Sequence, residues 1–178
     1  MGFVHGKIAI NGKYFNSPIF LNAREVERYH GGRYVERRDE ETNHIAGVSI
    51  NFMHIHDIEN DIAGLNKLIY LESLNLSDND ITEISGLNQL NKSLLSLGLS
   101  NNKIKEIKGL VLLTNLNSLN LYENEISDVP NLSYLKNLKM LFLDDNKISS
   151  LDASLLPASL EKLGLSNNPL THLTGLEH

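Results

Sequence analysis

From residue 71 onward, a leucine pattern returns every 22 or 23 residues. Its five copies fit L-x-x-L-x-L-x-x-N-x-I-x-x-I, with Val or Leu at some of the isoleucine positions. The copies begin at Leu71, Leu94, Leu116, Leu138 and Leu160. A weaker sixth copy begins at Ile45, where Met53 stands in place of the asparagine. A period of this length is typical of solenoids, in which each unit buries its apolar face against the next.

The first half of each copy predicts a β-strand. In L-x-L two leucines flank one other residue, and this alternation indicates a strand with one buried face. Stacked copies place the strands side by side in a parallel sheet, and their leucines and isoleucines converge on one continuous core.

The second half of each copy is short. Residues 107–116 place an apolar residue at every third position, a spacing typical of 3₁₀ turns rather than of a long α-helix. The copy that starts at Leu138 departs from this pattern, because Ser154 and Pro157 occupy leucine positions. There we expect a locally different turn, capped by Asp152.

An asparagine occupies the ninth position of all five regular copies. A buried amide can pair with backbone N–H and C=O groups where the chain leaves the strand. We therefore interpret these residues as a structural ladder, which consists of Asn79, Asn102, Asn124, Asn146 and Asn168.

The copies resemble the leucine-rich repeat family, in the short subtype that also occurs in a type-one phosphatase regulator, axonemal dynein light chain and bacterial internalins. The resemblance covers residues 45–176. It implies an α/β fold, a solenoid with a parallel sheet on its concave side and short 3₁₀ turns on its convex side. It also implies a scaffold that binds other proteins, although members of the family share an architecture and not a ligand.

We divide the chain into three parts. Residues 1–44 are the predicted N-terminal cap, and residues 45–175 are the repeats. The final residues 176–178, Leu-Glu-His, resemble the start of a Leu-Glu-polyhistidine expression tag. The last repeat is expected to leave its core uncovered, and an exposed apolar edge favours self-association through this C-terminal end.

The cap is predicted to be small and rich in β-structure. The Asn-Gly pair at 11–12, between IAI and KYF, is typical of a β-hairpin, and PIFLN is a further predicted strand. Residues 23–30 are predicted to form a short helix with Asn22 as its cap. Residues 33–38 and 44–50 are expected to pair antiparallel and so tie the cap to the first repeat.

Cysteine is absent from the sequence, which excludes disulfides, thiolate metal sites and cysteine nucleophiles. This absence favours a cytoplasmic protein. Since no apolar run is long enough to span a bilayer, we also expect no membrane contact.

Charge is distributed unevenly along the chain. Residues 1–44 carry seven Lys/Arg and six Asp/Glu, a net charge of +1, and the remainder carries nine against sixteen, a net charge of −7. An acidic body repels the phosphate backbone of nucleic acids. We therefore expect another protein as the partner, with a basic or amphipathic surface, and no nucleic acid.

One cluster of residues resembles a metal site. His54 and His56 are followed by Asp57, but they fall in the predicted loop after the strand. We interpret this cluster as a solvated polar loop that binds no metal. The sequence also contains no nucleophile elbow, zinc-protease motif or phosphate-binding loop, so we expect neither a cofactor nor enzymatic activity.

Most outward-facing positions of the predicted sheet are small and polar. The exception is an apolar patch of Tyr122, Met140 and Phe142 on neighbouring strands. Because the leucines that alternate with them face the core, these three side chains should be exposed to solvent. The patch is edged by an acidic rim, which consists of Glu123, Asp144 and Asp145.

An apolar centre with a polar rim is typical of protein interfaces. We therefore predict a non-catalytic protein–protein interaction module that binds its partner on the concave face. The alternative is a structural or dimerisation segment of a larger protein whose activity lies outside this chain. Phe52, at the opposite end of the sheet, is expected to pack under the cap.

Overall fold

The computed structural model describes residues 8–10, 13–15, 25–29, 32–39 and 44–176. The strands in these ranges are β1 (Ile8–Ile10), β2 (Lys13–Phe15), β3 (Glu25–Tyr29), β4 (Gly32–Arg38), β5 (Ile45–Asn51), β6 (Ile62–Ala63), β7 (Ser73–Asn75), β8 (Ser96–Gly98), β9 (Ser118–Asn120), β10 (Met140–Phe142), β11 (Ser150–Asp152), β12 (Lys162–Gly164) and β13 (His172–Thr174).

Helical structure is sparse in the described ranges. It consists of one four-residue α-helix, α1 (Ile58–Asp61), and of 3₁₀ turns at Leu65–Lys67, Asn88–Leu90 and Ala153–Leu155. None of these helical segments has the length and apolar character that crossing a membrane requires.

Eight strands form one sheet in the order β12-β10-β9-β8-β7-β5-β4-β3. From β5 to β12 the neighbours pair in parallel, so that each repeat position lies beside its own equivalent. Leu97, for example, lies opposite Leu74 on one side and Leu119 on the other. This register confirms the predicted solenoid, with a parallel sheet on its concave side and short turns on its convex side.

The core lies directly behind the sheet and continues through the whole solenoid. Leu116, Leu119 and Leu121 of one repeat are fully buried, as are their equivalents in the next repeat. Each fully buried leucine contributes about 2 kcal/mol relative to an exposed one. A single repeat could not bury these side chains, so the stability of the sheet depends on stacking.

The asparagine at the ninth repeat position connects adjacent coils. Asn124 is buried, its Nδ2 donates to the carbonyl of Leu99 at 2.9 Å, and its Oδ1 accepts from the amide of Ile104 at 3.0 Å. Asn102 and Asn146 make the equivalent bonds to their own preceding coils. Each amide therefore satisfies backbone groups of two repeats at the point where the strand ends.

The residue at the eighth repeat position, directly before this asparagine or before Met53 in the first copy, adopts a left-handed backbone in all six copies. The φ angles lie between 52° and 58° at Phe52, Asp78, Asn101, Glu123, Asp145 and Asn167. Asp and Asn tolerate this conformation better than other side chains. Their frequency at this position therefore has a conformational cause, which the sequence interpretation did not consider.

The N-terminal strands agree with two of the predicted pairings. β1 and β2 pair antiparallel on either side of residues 11–12, and β4 pairs antiparallel with β5, as expected for residues 33–38 and 44–50. β1 also pairs with β6, which joins this hairpin to the first repeat. The predicted strand at 18–22 lies outside the described residues.

The predicted helix at 23–30 is wrong. The described part of this segment, Glu25–Tyr29, is the edge strand β3, paired antiparallel with β4. Val26 lies opposite Val35, and Tyr29 opposite Gly32, so that two residues separate the paired ends. Valine and tyrosine favour strands, and a two-residue connection is typical of a hairpin.

The copy that begins at Leu138 has the different turn that its sequence predicts. Asp152 accepts a hydrogen bond from the amide of Ser154 and thereby caps the 3₁₀ turn at Ala153–Leu155. Strand β11 precedes this turn and pairs in parallel with β13 of the final repeat, forming a separate two-stranded sheet.

The final repeat is less buried than the others. Leu163 of β12 is 38% exposed, whereas Leu141, its equivalent on β10, is fully buried. Leu173 of β13 is 45% exposed. The core leucines of this repeat are therefore covered on one side only in the described chain.

Candidate functional site: the concave face

The outward positions of strands β7, β8 and β9 carry small side chains. The first residues, Ser73, Ser96 and Ser118, lie side by side, and the last residues are Asn75, Gly98 and Asn120. The leucine between each pair is buried, so these residues face away from the core.

Hydrogen bonds hold this polar surface in place. Asn75 Oδ1 accepts from both the amide of Ser77, at 3.0 Å, and its hydroxyl, at 2.7 Å. The hydroxyl of Ser100 then donates to that of Ser77 at 2.8 Å. Asn120 Oδ1 accepts from the amide of Tyr122 at 3.0 Å. These bonds fix the side-chain amides of Asn75 and Asn120 at the ends of their strands.

The apolar patch lies beside this polar surface, on the two neighbouring coils that the sequence predicts. Met140 and Phe142 are on β10, where Phe142 lies opposite Asn120, and Tyr122 lies two residues after the end of β9. Tyr122 is 41% exposed, as expected.

Met140 and Phe142, however, are half-buried rather than largely exposed. The expectation for these two residues considered one strand alone. Met140 lies between Ser118 and Lys162 on the adjacent strands, and side chains on adjacent strands of a sheet shield one another. The part of each side chain that a partner could cover is correspondingly smaller.

The acidic rim acts directly on Tyr122. Asp145, and to a smaller extent Glu123, raise the pKa of the Tyr122 phenol by their negative charges, with a further contribution from its hydrogen bond to Asp145. Asp144 Oδ1 accepts from the amide of Ser166 at 2.9 Å, which holds this carboxylate at the next coil. The rim therefore places negative charge along the edge of the patch at the ends of strands β9 and β10, whereas Lys162 lies opposite Met140 on its other side.

A shallow depression of about 510 Å³ lies in the middle of the concave face. We name it the central depression. Its described lining consists of Asn51, Ser73, Leu74, Asn75, Ser77, Asp78, Ser96, Leu97, Gly98, Ser100, Ser118, Asn120 and Phe142. Phe142 thus belongs to both the apolar patch and the wall of the depression. The sequence interpretation missed this feature, although two repeats have glycine at the fifth position, Gly98 and Gly164, and each glycine interrupts the row of side chains.

Phe52 does not pack under the cap as expected, since it is 52% exposed. Its left-handed backbone places it where Asp78 and Asn101 stand in the next two repeats. That position lies just beyond the end of the strand, at the border of the concave face, and the expectation for Phe52 is therefore wrong.

The histidine pair at 54 and 56 lies in the loop after β5. His54 Nδ1 is 2.9 Å from Asp80 Oδ2, and Lys103 Nζ is 2.7 Å from the other oxygen of that carboxylate. The hydrogen bonds from Lys103 and His54 lower the pKa of Asp80 to about 2. In the described ranges, no three His, Asp or Glu side chains are grouped as metal ligands would be.

These residues belong to a column at the tenth repeat position in which acidic residues alternate with lysine or histidine, a pattern that the sequence interpretation also missed. The column consists of His54, Asp80, Lys103, Glu125 and Lys147. Glu125 and Lys147 form an ion pair at 3.1 Å. Because each of these contacts joins one coil to the next, we interpret the column as a structural feature that connects the repeats.

Comparisons of sequence support the repeat assignment. The family described as "Leucine Rich repeats (2 copies)" matches residues 114–157, and that described as "Leucine Rich Repeat" matches residues 70–90. A comparison with curated proteins gives no match.

Several solved structures resemble this chain. The internalin InlF of Listeria monocytogenes has 29% identity and a TM-score of 0.60, over 78% of this chain and 44% of that one. Internalin C2 of the same organism has 34% identity and a TM-score of 0.51, over 68% and 48%. TLR13, solved in a complex with the RNA ssRNA13, has 26% identity and a TM-score of 0.58, over 76% and 25%.

This chain therefore spans less than half the length of these three solved relatives. The repeat spacing, the parallel solenoid, the two sequence matches and these structures agree. The chain belongs to the leucine-rich repeat family.

Proposed function

We propose that this chain is a non-catalytic binding module that holds a partner protein on its concave face. The observation that carries the proposal is the contrast between the apolar patch, Tyr122, Met140 and Phe142, and the small polar residues on the rest of the sheet. Apolar side chains in the centre of a polar rim contribute most of the binding energy in many interfaces.

The charge of the chain supports a basic or amphipathic partner. The acidic rim would attract Lys or Arg and would raise the rate of association more than the final affinity. Six strands about 4.8 Å apart give a strip of roughly 24 Å, the length of a helix of about 16 residues. An amphipathic helix or a compact loop region would fit this strip.

Nucleic acid is disfavoured as the partner. TLR13 was solved with an RNA, but the net charge of −6 on this chain opposes binding to a phosphate backbone. Leucine-rich repeat proteins are in general scaffolds rather than enzymes, and we propose the same for this chain. Its placement in the cytoplasm stays a prediction, which rests on the absence of cysteine.

A second candidate function is association through the C-terminal end. It is favoured by the exposure of Leu163 and Leu173, whose equivalents in other repeats are buried. A second copy, or another part of a longer protein, could cover these side chains. Sedimentation that depends on protein concentration, and that disappears in Leu173→Lys, would support this candidate.

Affinity capture with matched variants tests the main proposal. The wild-type chain, Phe142→Asp and Val111→Asp would be used as bait in parallel. Val111 is the control, because it is 63% exposed in the turn after the β8 strand, away from the sheet. We expect a partner that is retained by the wild type and Val111→Asp and lost with Phe142→Asp, at unchanged melting temperature. Equal retention by all three baits would contradict binding on the concave face.

A further inference from the structure

Strand β12 is the outermost strand of the eight-stranded sheet and has an open edge in the described chain. In the earlier coils, the residue at the sixth repeat position donates its amide to a carbonyl of the following coil, as Leu143 does to Gly164 at 2.9 Å. Leu165 is its equivalent on the last coil, and no described coil follows it. The carbonyl of Glu161 faces the same way, because that of its equivalent, Lys139, is bonded by the following coil. The edge therefore presents backbone donors and acceptors with which another strand can pair.

The apolar side chains of the last coil end at this same edge. Leu163 is 38% exposed, and Leu165 and Leu170 are only partly buried. Their equivalents one coil earlier, Leu143 and Ile148, are fully buried. Pairing with another strand would bond the open backbone groups and remove these leucines from water at the same time.

A second copy of this chain can pair with β12 in an antiparallel register centred on Leu163. Lys162 donates its amide to the β10 side, and Gly164 accepts from that side through its carbonyl. Because the direction of bonding alternates along a strand, the amide and carbonyl of Leu163 point to the open edge. About a twofold axis beside Leu163, these two groups meet the same two groups of the second copy. The same axis brings the amide of Leu165 to the carbonyl of Glu161.

The charges at this edge are complementary under the same axis. In this register Lys162 of one copy lies opposite Gly164 of the other, and both residues face the concave side. The carboxylate of Asp144 fills the position that a side chain of Gly164 would take. Its Oδ1 accepts from the amide of Ser166 at 2.9 Å, and its Oδ2 lies over Gly164. The ammonium of Lys162 therefore meets Oδ2 of Asp144 in the second copy, and the axis repeats this ion pair.

We propose that a second copy of this chain binds at β12, with antiparallel pairing about Leu163 and reciprocal ion pairs between Lys162 and Asp144. The inference rests on the second candidate function, association through the C-terminal end, and names the partner and its register. Two copies that share the same edge form a closed dimer, whereas pairing of β12 with β3 would continue into open-ended assemblies. The concave faces of both copies lie on the same side of the extended sheet, so the apolar patch stays accessible to a partner protein.

Analytical ultracentrifugation of charge variants tests the ion pair. The wild type should sediment as a monomer–dimer equilibrium that depends on concentration. Lys162→Glu should weaken the dimer, because it places two carboxylates together. The matched control Lys136→Glu, at an exposed turn two coils before the last, should dimerise like the wild type. A wild type that stays monomeric at its solubility limit, forms open-ended assemblies, or dimerises no better than Lys162→Glu would overturn the proposal.

A double-variant cycle identifies the residue that Lys162 contacts. Asp144→Asn removes the charge and retains an oxygen that can accept from the amide of Ser166. It should weaken the dimer of the wild type, which loses an attraction, and strengthen that of Lys162→Glu, which loses a repulsion. The same change in dimer affinity on both backgrounds would refute the contact between Lys162 and Asp144.

A single cysteine tests the register. The chain contains no cysteine, so a disulfide in Leu163→Cys can form only between two copies. Residues directly opposite in a hydrogen-bonded antiparallel pair have Cα atoms about 5.5 Å apart, a separation that a disulfide can span. Under mild oxidation Leu163→Cys should cross-link faster than the control Ser127→Cys, at an exposed loop position. Equal rates of cross-linking would refute pairing about Leu163.

The outcome is separable from those of the proposed functions. If the wild type dimerises and Leu173→Lys dissociates it, while the Lys162 and Leu163 variants behave like their controls, association through the C-terminal end stands and this register is refuted. If the wild type stays monomeric and Phe142→Asp loses the captured partner, binding on the concave face stands and the dimer is refuted.

Discussion

The side-chain oxygen of Asn124 accepts a hydrogen bond from the backbone amide of Ile104 in the preceding coil, with 3.0 Å between the two atoms. The same side chain donates to the carbonyls of Leu99 and Leu121. One amide thus connects two repeats and satisfies three buried backbone groups, and this arrangement recurs along the solenoid.

We predict that Asn124→Ala lowers the free energy of unfolding by about 1–3 kcal/mol, because the buried backbone groups lose their partner. Urea denaturation of both proteins measures the difference. Asn131→Ala is the matched control, since Asn131 is exposed and contacts its own turn at Ser133. Its effect should stay within about 0.5 kcal/mol. Equal unfolding midpoints for Asn124→Ala and the wild type would contradict a structural role.

Phe52→Asn is predicted to stabilise the chain. Phe52 has a φ of 55° and is 52% exposed, so it has an unfavourable backbone conformation and gains little from burial. Asparagine tolerates this conformation, and we expect an increase of about 1 kcal/mol in the free energy of unfolding. Phe52→Ala removes the ring but keeps the backbone strain, and it should not stabilise. A gain in Phe52→Ala as large as in Phe52→Asn would show that the backbone is not the cause.

The carboxylate of Asp80 is predicted to make the chain sensitive to acid. Hydrogen bonds from Lys103 and His54 lower its pKa from 3.8 to about 2 in the folded chain. Folding therefore favours the ionised form, and this contribution is present above pH 3.8 and is lost as the pH falls through about 2. Urea midpoints measured across this range should fall less steeply in Asp80→Asn than in the wild type. Parallel curves would argue against the contribution of Asp80.

Zinc is predicted to bind weakly. His54 and His56 project from a loop, and among the described residues they do not belong to a group of three or more side chains placed as metal ligands would be. Two imidazoles form an incomplete zinc site. Calorimetry should therefore give no stoichiometric nanomolar binding, in the wild type or in His54→Ala. A tight site that disappears in His54→Ala would refute this prediction.

The repeats could be predicted from the sequence because the apolar residues that recur in each copy are the ones that are buried in the structure. Leu119 and Leu121 are buried and alternate with residues that are partly or fully exposed, and that alternation determines which face of the sheet is buried. The ninth-position asparagines could be interpreted because a buried amide needs backbone partners. Both arguments need only the pattern of a single repeat, and that pattern occurs in five regular copies in the sequence.

The remaining features depend on neighbours that no single repeat specifies. The half-burial of Phe142 results from the adjacent strands, and the central depression results from Gly98 lying between two asparagines. In the N-terminal part, without a repeat, the helical spacing of residues 23–30 competed with the strand propensity of Val26 and Tyr29. Pairing with β4 decided the outcome there.

Amide hydrogen exchange on the free and partner-bound chain tests the location of the binding site most directly. The account predicts protection on binding at residues 118–123 and 140–145, which contain the apolar patch and the acidic rim, and none at the turn that contains Val111. Protection confined to the convex turns, or to strands β1–β4, with the exchange of residues 140–145 unchanged, would contradict the account.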